Sequence, residues 1–361
     1  MLLPLFGLTL SVAQDSALVH STFAQGEDGW VVSQALGSGA KIAAIHNPAN
    51  LKVGPGSLSL TYAIGVGQMA GATLPITEGA VAKLGSIHFW IKTAYNMPVG
   101  VSLQEKGGGQ YVGMFSVPKD KWQEVELGVQ DFVPSDIAGT PPDPNGKLDL
   151  DHVESMTIID VSQFLAQVPT FAGLLGLQNG DRSLFLSDVQ LTTKPVADTN
   201  SATDTEYLFD NFVRPEPAWT VLNATATVLE AAPLFTRALR LDYNLTSEQA
   251  AAAAKKIKLG VLTGKKTLNL RLASAHPCQL LVQIEERNGG KYNTILPLPG
   301  GPEPIDRTID ISAMTPDEQT KDPNGKLDLD QIQQLTLVDL TAVTQAPGAN
   351  VLWIGKVTAK N

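Results

Sequence analysis

The chain has 361 residues and a formal net charge of −10, with 26 Lys and Arg against 36 Asp and Glu. Its composition, 43% hydrophobic and 17% charged, can fill large cores and excludes a globally disordered chain. The acidic balance argues against nucleic acid or an anionic membrane as the main partner. The single cysteine, Cys278, excludes an intramolecular disulfide and a cysteine-built zinc site.

The first residues predict an export signal. Residues 1–10 form a short apolar run, and Ser11 and Ala13 are placed as at a signal-peptidase site. No basic residue precedes the run, which is about half the length needed to span a bilayer. We expect residues 1–14 to be a signal peptide truncated at its start, with a first strand or buried tail as the alternative. The protein is then expected to be secreted or at the cell surface, from a bacterium, without membrane insertion.

An internal repeat predicts the domain count. Residues 143–151 recur letter for letter as residues 322–330, and an apolar pattern continues without a gap after both. Tyr62 and Tyr243, and Trp30 and Trp219, fall into register upstream. The repeat unit has the length of a whole domain. We expect a first domain at 15–191, a linker at 192–206, rich in Thr, Ser, Asp and Pro, and a second domain at 207–361.

Alternating strands dominate both copies. In the first, Ile87, Phe89 and Ile91 alternate with polar residues, and residues 267–272 repeat the pattern in the second. Glycine-rich turns at 107–109 and 288–290 separate further strands. The fold class predicted is all-β, as two tandem antiparallel β-sandwiches. One exception is the segment 247–256, whose N-cap, alanine run and late lysines favour a local helix.

These motifs resemble a known family. The early Phe and Trp, the Gly-Gly-x-Tyr hairpin, the strand from Trp122 ending near Phe132, and the Asn-Gly-x-Leu-Asp-Leu turn are similar to galactose-binding-like jelly rolls. The similarity is greatest to family 11 carbohydrate-binding modules and complex I intermediate-associated proteins. It covers nearly all of both copies. It implies a jelly roll that binds polysaccharide and in many members a structural calcium ion.

Candidate ligand-binding residues follow from the chemistry of sugar recognition. Sugars need flat aromatic faces and planar polar groups on one rigid surface. The face opposite the apolar one is expected to carry His88, Trp90, Gln104 and Tyr111 in the first copy and Asn269, Arg271, Glu285 and Tyr292 in the second. The alternative is that Trp90 and Tyr111 are packed beneath a loop or against the other domain.

The repeated acidic segment suggests a calcium loop. Hard oxygen ligands are spaced there at intervals similar to those of known calcium loops. The candidates are Asp143, Asn145, Asp149 and Asp151, and in the second copy Asp322, Asn324, Asp328 and Asp330. The glycine is fourth where calcium loops have it sixth, and a lysine stands at a usual ligand place. A type I turn is therefore the alternative.

The sequence contains no nucleophile elbow, phosphate loop or dinucleotide-binding motif, and its five histidines are scattered. We therefore expect a non-catalytic exported protein that binds a polysaccharide or cell-surface glycan, with structural calcium as the only cofactor considered. The alternative is a structural or protein-interaction module of an extracellular or cell-surface assembly.

Overall fold

The computed structural model describes residues 17–33, 39–64, 69–135, 142–162, 180–318, 320, 322–344 and 346–361. The predicted signal at 1–14 lies outside these residues. The strands of the first half are β1 Ala17–Ser21, β2 Val31–Val32, β3 Lys41–Ile45, β4 Ser57–Ile64, β5 Ala70–Pro75, β6 Ser86–Thr93, β7 Met97–Glu105, β8 Gln110–Val117, β9 Gln123–Gly128, β10 Val133–Pro134, β11 Val153–Asp160 and β12 Gly180–Thr192.

The second half repeats this pattern of strands. Its elements are β13 Ser201–Ala202, β14 Glu206–Asp210, β15 Thr220–Leu222, β16 Thr225–Ala231, β17 Thr236–Leu245, β18 Ala251–Lys256, β19 Thr267–Ser274, β20 Cys278–Glu286, β21 Lys291–Leu298, β22 Ile305–Asp310, β23 Thr315–Pro316, β24 Ile332–Asp339, α1 Thr341–Thr344 and β25 Gly348–Lys360. Short 3₁₀ turns lie at Pro48–Asn50, Val129–Asp131, Leu150–His152 and Ile311–Ala313.

The first sandwich consists of two antiparallel sheets. Sheet A has the order β3-β4-β12-β6-β9, with β1 paired to β12, and sheet B has the order β10-β8-β7-β11-β5-β2. Apolar residues at alternate strand positions, such as Phe89 and Phe115, fill the space between them together with Phe23 and Trp30 from the segment between β1 and β2. The alternation seen in the sequence therefore produces the core directly.

The second sandwich repeats this arrangement with its own core. In sheet C, β25 lies between β17 and β19, with β16 and β22 at the edges and β14 also paired to β25, while sheet D has the order β15-β18-β24-β20-β21-β23. Its core includes Phe209, Phe212 and Trp219. The prediction of an all-β chain built from antiparallel sandwiches is confirmed. We propose, as the sequence repeat predicts, that each pair of sheets is one domain.

The segment 247–256 corrects the sequence prediction. Ala251–Lys256 forms strand β18, paired on one side with β15 and on the other with β24. Ala251 and Ala253 are buried in the core. Burial and two sets of ladder hydrogen bonds outweigh the weak helix preference of an alanine run.

The two sandwiches contact each other through β15. Ser116 on β8 donates its hydroxyl to the carbonyl oxygen of Trp219 at 2.8 Å and accepts from the amide of Val221 at 2.8 Å. Arg214, almost fully buried, donates to the carbonyl oxygen of Glu126 at 3.0 Å and forms an ion pair with Asp131. The second sandwich therefore contacts the outer face of sheet B through β8 and the edge of sheet A through β9.

Candidate functional site

The candidate residues of the first copy do not share one face. His88 and Trp90 project from the outer face of sheet A, whereas Gln104 projects from the outer face of sheet B. Tyr111 is 3% exposed and points into the core. Because the sheets of a sandwich lie about 10 Å apart with their outer faces opposed, these four residues cannot bind one ligand together. The expectation of a single face in this copy was wrong.

The second copy has the same arrangement. Asn269 and Arg271 lie on sheet C and Glu285 on sheet D, while Tyr292 is buried. Arg271 forms an ion pair with Asp306 at 2.8 Å on the neighbouring strand. Asn269 accepts a hydrogen bond from Thr308, and Glu285 lies 3.8 Å from the ammonium of Lys291. These partners are cross-strand neighbours, as expected for side chains on a sheet surface.

Trp90 lies beneath a loop, as the alternative interpretation predicted. Residues 46–55 cross the outer face of sheet A, where Val53 exchanges two hydrogen bonds with the hydroxyl of Ser187. The ammonium of Lys52 lies 4.3 Å from the centre of the Trp90 ring. His88 pairs with Glu124 at 3.0 Å. A sugar could stack on Trp90 only after Lys52 moves away.

Gln104 and the two tyrosines have structural partners. The Gln104 amide donates to the carbonyl oxygens of Glu105 and Gly109, which closes the β7–β8 hairpin. The hydroxyl of Tyr111 donates to Asp143, and that of Tyr292 donates to Asp322. Each tyrosine therefore anchors the repeated acidic loop to its core, and each hydrogen bond helps to lower the pKa of its aspartate partner.

The acidic loops have the same internal hydrogen bonds in both copies. Asp143 accepts from the amide of Asn145 at 3.0 Å, and the Asn145 side chain accepts from the amide of Lys147 and donates to Asp149. Asp322, Asn324 and Asp328 repeat these contacts. This network is what an Asx-type turn requires.

A buried glutamate, missed in the sequence, completes each loop. Glu105 accepts from the amide of Asp149, and Glu286 accepts from that of Asp328. Burial raises the pKa of both glutamates. Outside the loop network, Asp151 lies 3.8 Å from His152, and Asp330 accepts from Gln331. Across the described ranges, no group of three or more His, Cys, Asp or Glu side chains is arranged to hold a metal ion. The geometry favours the turn, and structural calcium stays a prediction.

A different site is present at one end of sheet A. An open cleft of about 620 Å³ is lined by Gly39, Lys41, Thr61, Tyr62, Ala63, Ala94, Tyr95, Lys119, Asp181, Arg182 and Ser183. Its floor follows from strand register, because Lys41, Thr61 and Ser183 are cross-strand neighbours on β3, β4 and β12. Tyr95 follows the end of β6 and is half-buried.

A buried network fixes the floor of the cleft. The Arg182 guanidinium donates to Asp160 at 2.8 Å and to the hydroxyl of Ser162 at 2.7 Å. Tyr62 also donates to Asp160, at 2.9 Å, and burial beside this carboxylate raises the pKa of Tyr62. The guanidinium carbon of Arg182 lies 5.1 Å from the centre of the Tyr95 ring. The aromatic ring is therefore held by a cation that is itself fixed by an ion pair.

An aromatic band continues from the cleft along the same face. The ammonium of Lys92 lies 5.3 Å from the ring of Trp122 and 5.1 Å from that of Phe185. It also donates to the carbonyl oxygen of Ala49 and to the side chain of Asn50. Trp90 lies further along this face. The band gives the first copy an aromatic surface with lysines interleaved.

The second copy keeps the scaffold of the cleft but not its side chains. Tyr243 still donates to Asp339, as Tyr62 does to Asp160. The positions of the other cleft residues are set by the same strand pairings. Lys41, Thr61, Tyr95, Asp181, Arg182 and Ser183 correspond there to Thr225, Asp242, His276, Ala349, Asn350 and Val351. The fold therefore does not require the cleft residues of the first copy.

Cys278 is a buried free cysteine at the start of β20. It is 2% exposed, and burial raises the pKa of its thiol to about 11. A thiol of this kind is protonated at neutral pH and is not an activated nucleophile.

Among the described residues, no helix has the length and apolar character needed to cross a membrane.

Comparison with known proteins finds similarity in structure only. Neither a protein-family model nor a curated protein matches the chain. The family 11 carbohydrate-binding module from Clostridium thermocellum, in complex with a β-1,3-1,4-mixed-linked tetrasaccharide, is 18% identical with a TM-score of 0.35, over 48% of this chain and 93% of its own. The tandem of two family 22 modules from Paenibacillus barcinonensis Xyn10C is 12% identical with a TM-score of 0.31, over 96% of this chain and 98% of its own.

An exo-β-agarase also matches, at 15% identity and a TM-score of 0.32, over 39% of this chain and 23% of its own. The family 11 modules to which the sequence motifs are similar are thus among the matched structures. At these identities and scores, the similarity concerns the β-sandwich fold and assigns no ligand to this chain.

Proposed function

We propose that this protein is a non-catalytic, exported glycan-binding protein whose ligand site is the cleft on sheet A of the first sandwich. The observation that carries the proposal is the cleft itself, where Tyr95 is combined with the hydroxyls of Thr61 and Ser183, the carboxylate of Asp181 and the ammonium groups of Lys41 and Lys119.

These groups match the chemistry of a sugar ring. The C–H faces of a pyranose pack on an aromatic ring, and its hydroxyls exchange hydrogen bonds with hydroxyl, carboxylate and ammonium groups. The floor of the cleft lies on paired strands, which hold the polar groups in place before the ligand arrives. The volume of about 620 Å³ falls within the range of small-molecule sites and leaves room for two or three sugar units.

The test is affinity electrophoresis of the full chain in gels containing soluble polysaccharides, neutral and acidic. We expect retardation of the wild type by at least one polymer and loss of this retardation in Tyr95→Ala. Trp353→Ala is the matched aromatic control, because Trp353 lies on sheet C of the second copy. Equal retardation of wild type and Tyr95→Ala, with both variants folded by circular dichroism, or no retardation by any polymer, would contradict the proposal.

A second candidate function is a protein-interaction module. One observation favours it: the outer face of sheet D carries an apolar row made by Leu222, Ala252, Val338, Leu281 and Ile295 on five paired strands. Ile295 is 54% exposed, whereas Ala252 and Val338 are buried, so the exposed part of the row is its Ile295 end. Exposed apolar patches mark contact surfaces in many proteins. Sedimentation of wild type and Ile295→Lys tests it, because self-association abolished by the lysine would favour assembly over glycan binding.

A further inference from the structure

We propose that the ligand of the cleft is an anionic polysaccharide, one that carries carboxylate or sulfate groups on its sugars. This inference rests on the proposed glycan-binding function and specifies the chemical class of the ligand.

The charge of the cleft differs from that of the chain. The protein carries a net charge of −10. The side chains that line the cleft nevertheless include Lys41, Lys119 and Arg182 against a single carboxylate, Asp181. Arg182 is balanced by buried Asp160, so the two lysines determine the sign of the cleft.

Neither lysine is held in a strong ion pair. Lys41 is exposed on β3, and no ion pair of Lys41 is found among the described residues. The ammonium of Lys119 lies 3.9 Å from Asp120, and both side chains are more than half exposed. Exposed pairs of this kind contribute little and exchange readily for a ligand.

The positive character continues along the aromatic band. The Lys92 ammonium donates to two neutral oxygens, the Ala49 carbonyl and the Asn50 side-chain amide. Lys52 lies over Trp90 on the same face. A chain of anionic sugars that leaves the cleft along this band would first meet Lys92 beside Trp122 and Phe185. At Trp90 the charges are mixed, because Glu124 is its cross-strand neighbour and pairs with His88.

The second copy shows that the sandwich forms without a lysine at the position of Lys41. The same strand positions hold Thr225 where the first copy has Lys41, Asn350 where it has Arg182, and Asp242 where it has Thr61. Both copies form the same sandwich and the same buried tyrosine–aspartate pair. Lys41 therefore serves something other than the scaffold, and a negatively charged ligand accounts for it, whereas Arg182 also balances the buried carboxylate of Asp160.

The experiment measures binding of the full chain to two matched pairs of polymers by isothermal titration calorimetry. The pairs are polygalacturonate with its methyl ester and dextran sulfate with dextran, so that the polymers of a pair differ in charge and carboxylate is distinguished from sulfate. The variants are Lys41→Ala/Lys119→Ala and Tyr95→Ala. The control is Lys266→Ala/Lys326→Ala, which removes the same charge from exposed positions of the second copy.

We expect at least one anionic polymer to bind about tenfold or more tightly than its neutral partner, with affinity that falls as salt is added. Lys41→Ala/Lys119→Ala should lose about tenfold in affinity, and the control pair should lose almost none.

Two results would overturn the inference of an anionic ligand without overturning the proposed glycan-binding function. Equal binding of charged and neutral partners, lost in Tyr95→Ala but unchanged in the lysine variant, would show a neutral glycan ligand. An equal loss in the cleft variant and the control pair would show unspecific charge attraction. Absence of binding to all four polymers, and to the polysaccharides used in affinity electrophoresis, would instead overturn the proposed glycan-binding function itself.

Discussion

A buried ion pair in the second sandwich has a neutral counterpart at the same place in the first. Asp210 accepts from the Trp219 indole at 3.1 Å and from the Lys255 ammonium at 3.0 Å, and all three side chains are buried. In the first copy, strand register places Ser21 and Leu74 at the two charged positions, and Ser21 accepts from the indole of Trp30 at 3.0 Å. Both copies therefore keep the hydrogen bond from the tryptophan indole. The second copy has two charged residues at these positions, and the first copy has neither.

This pair predicts a rescue. Asp210→Ser leaves Lys255 buried without its carboxylate and should lower the free energy of unfolding by about 3 to 5 kcal/mol. The double variant Asp210→Ser/Lys255→Leu copies the first sandwich and should recover most of that loss, since neutral replacement of a buried pair costs little. Urea unfolding of the wild type and the two variants measures both effects. A double variant no more stable than the single one would refute this account.

The tyrosines at 111 and 292 show what the sequence could not predict at this scale. Trp30 and Trp219, which the sequence repeat puts in register, are both buried in their cores. Whether Tyr111 points inward depends on how many residues the hairpin turn uses, because one residue more or fewer reverses the side of every following side chain. In the structure Leu103 pairs with Tyr111, so both side chains point to the same side of the sheet, into the core. The sequence does not specify this pairing.

Strand β15 depends on one serine of the other sandwich. The hydroxyl of Ser116 both donates to and accepts from the backbone of the segment that contains β15. Ser116→Ala would leave a buried carbonyl and a buried amide without this partner. We expect a loss of about 1 to 3 kcal/mol in unfolding free energy.

Ser102 provides the matched control for this prediction. It lies on β7 of the same sheet and is buried, but its hydroxyl has no hydrogen-bond partner within the described structure. Ser102→Ala should therefore be neutral or slightly stabilising. Equal destabilisation by the two alanine variants in urea titrations would show that the contact with β15 contributes nothing.

The elements themselves were largely predictable, because alternation and glycine turns locate strands without knowledge of their partners. Two features were not. The alanine run at 250–254 is part of a strand because it pairs with a neighbouring strand on each side. The helix propensity of the segment alone does not reveal these partners. The assignment of β6 and β7 to opposite sheets was also hidden, as consecutive strands often pair but here do not.

At the scale of the whole molecule, the repeat predicted two similar sandwiches but not how they meet. The residues that form the junction differ between the two copies. Pro297 stands in the second copy where the first has Ser116, and Gln25 stands in the first copy where the second has Arg214. The cleft was missed for the same reason. Its Lys41, Tyr95 and Asp181 lie at strand ends, and their proximity arises from pairing between distant segments.

The junction also contains a carboxyl group that predicts a pH dependence. Glu216 is 2% exposed, and neither of its oxygens has a hydrogen-bond partner among the described residues. The charged groups that face it are Arg214, whose guanidinium lies 3.7 Å away, Asp131 and Glu126. Burial outweighs the attraction of Arg214, which is already paired with Asp131, and raises the pKa of Glu216 to about 8.

The direction of the effect follows from proton binding. Between pH 4.5 and about 8, the folded protein keeps a proton on Glu216 that the unfolded chain has released, so stability falls as pH rises through this window. Glu216→Gln mimics the protonated acid and should be more stable than the wild type by an amount that grows with pH, on the order of 2 to 4 kcal/mol at pH 8.5. Denaturant titrations at pH 5.0 and 8.5 measure this difference. A difference independent of pH would contradict the prediction.

The location of the ligand site is the central claim, and backbone amide chemical-shift mapping of the full chain tests it most directly. The chain is titrated with the polysaccharide fragment that binds best in calorimetry. The cleft predicts saturable shifts at Lys41, Thr61, Tyr95 and Ser183, with the amides of Thr225, Asp242, His276 and Val351 unmoved. Shifts confined to the second sandwich or to the junction would contradict the assignment of binding to the first copy.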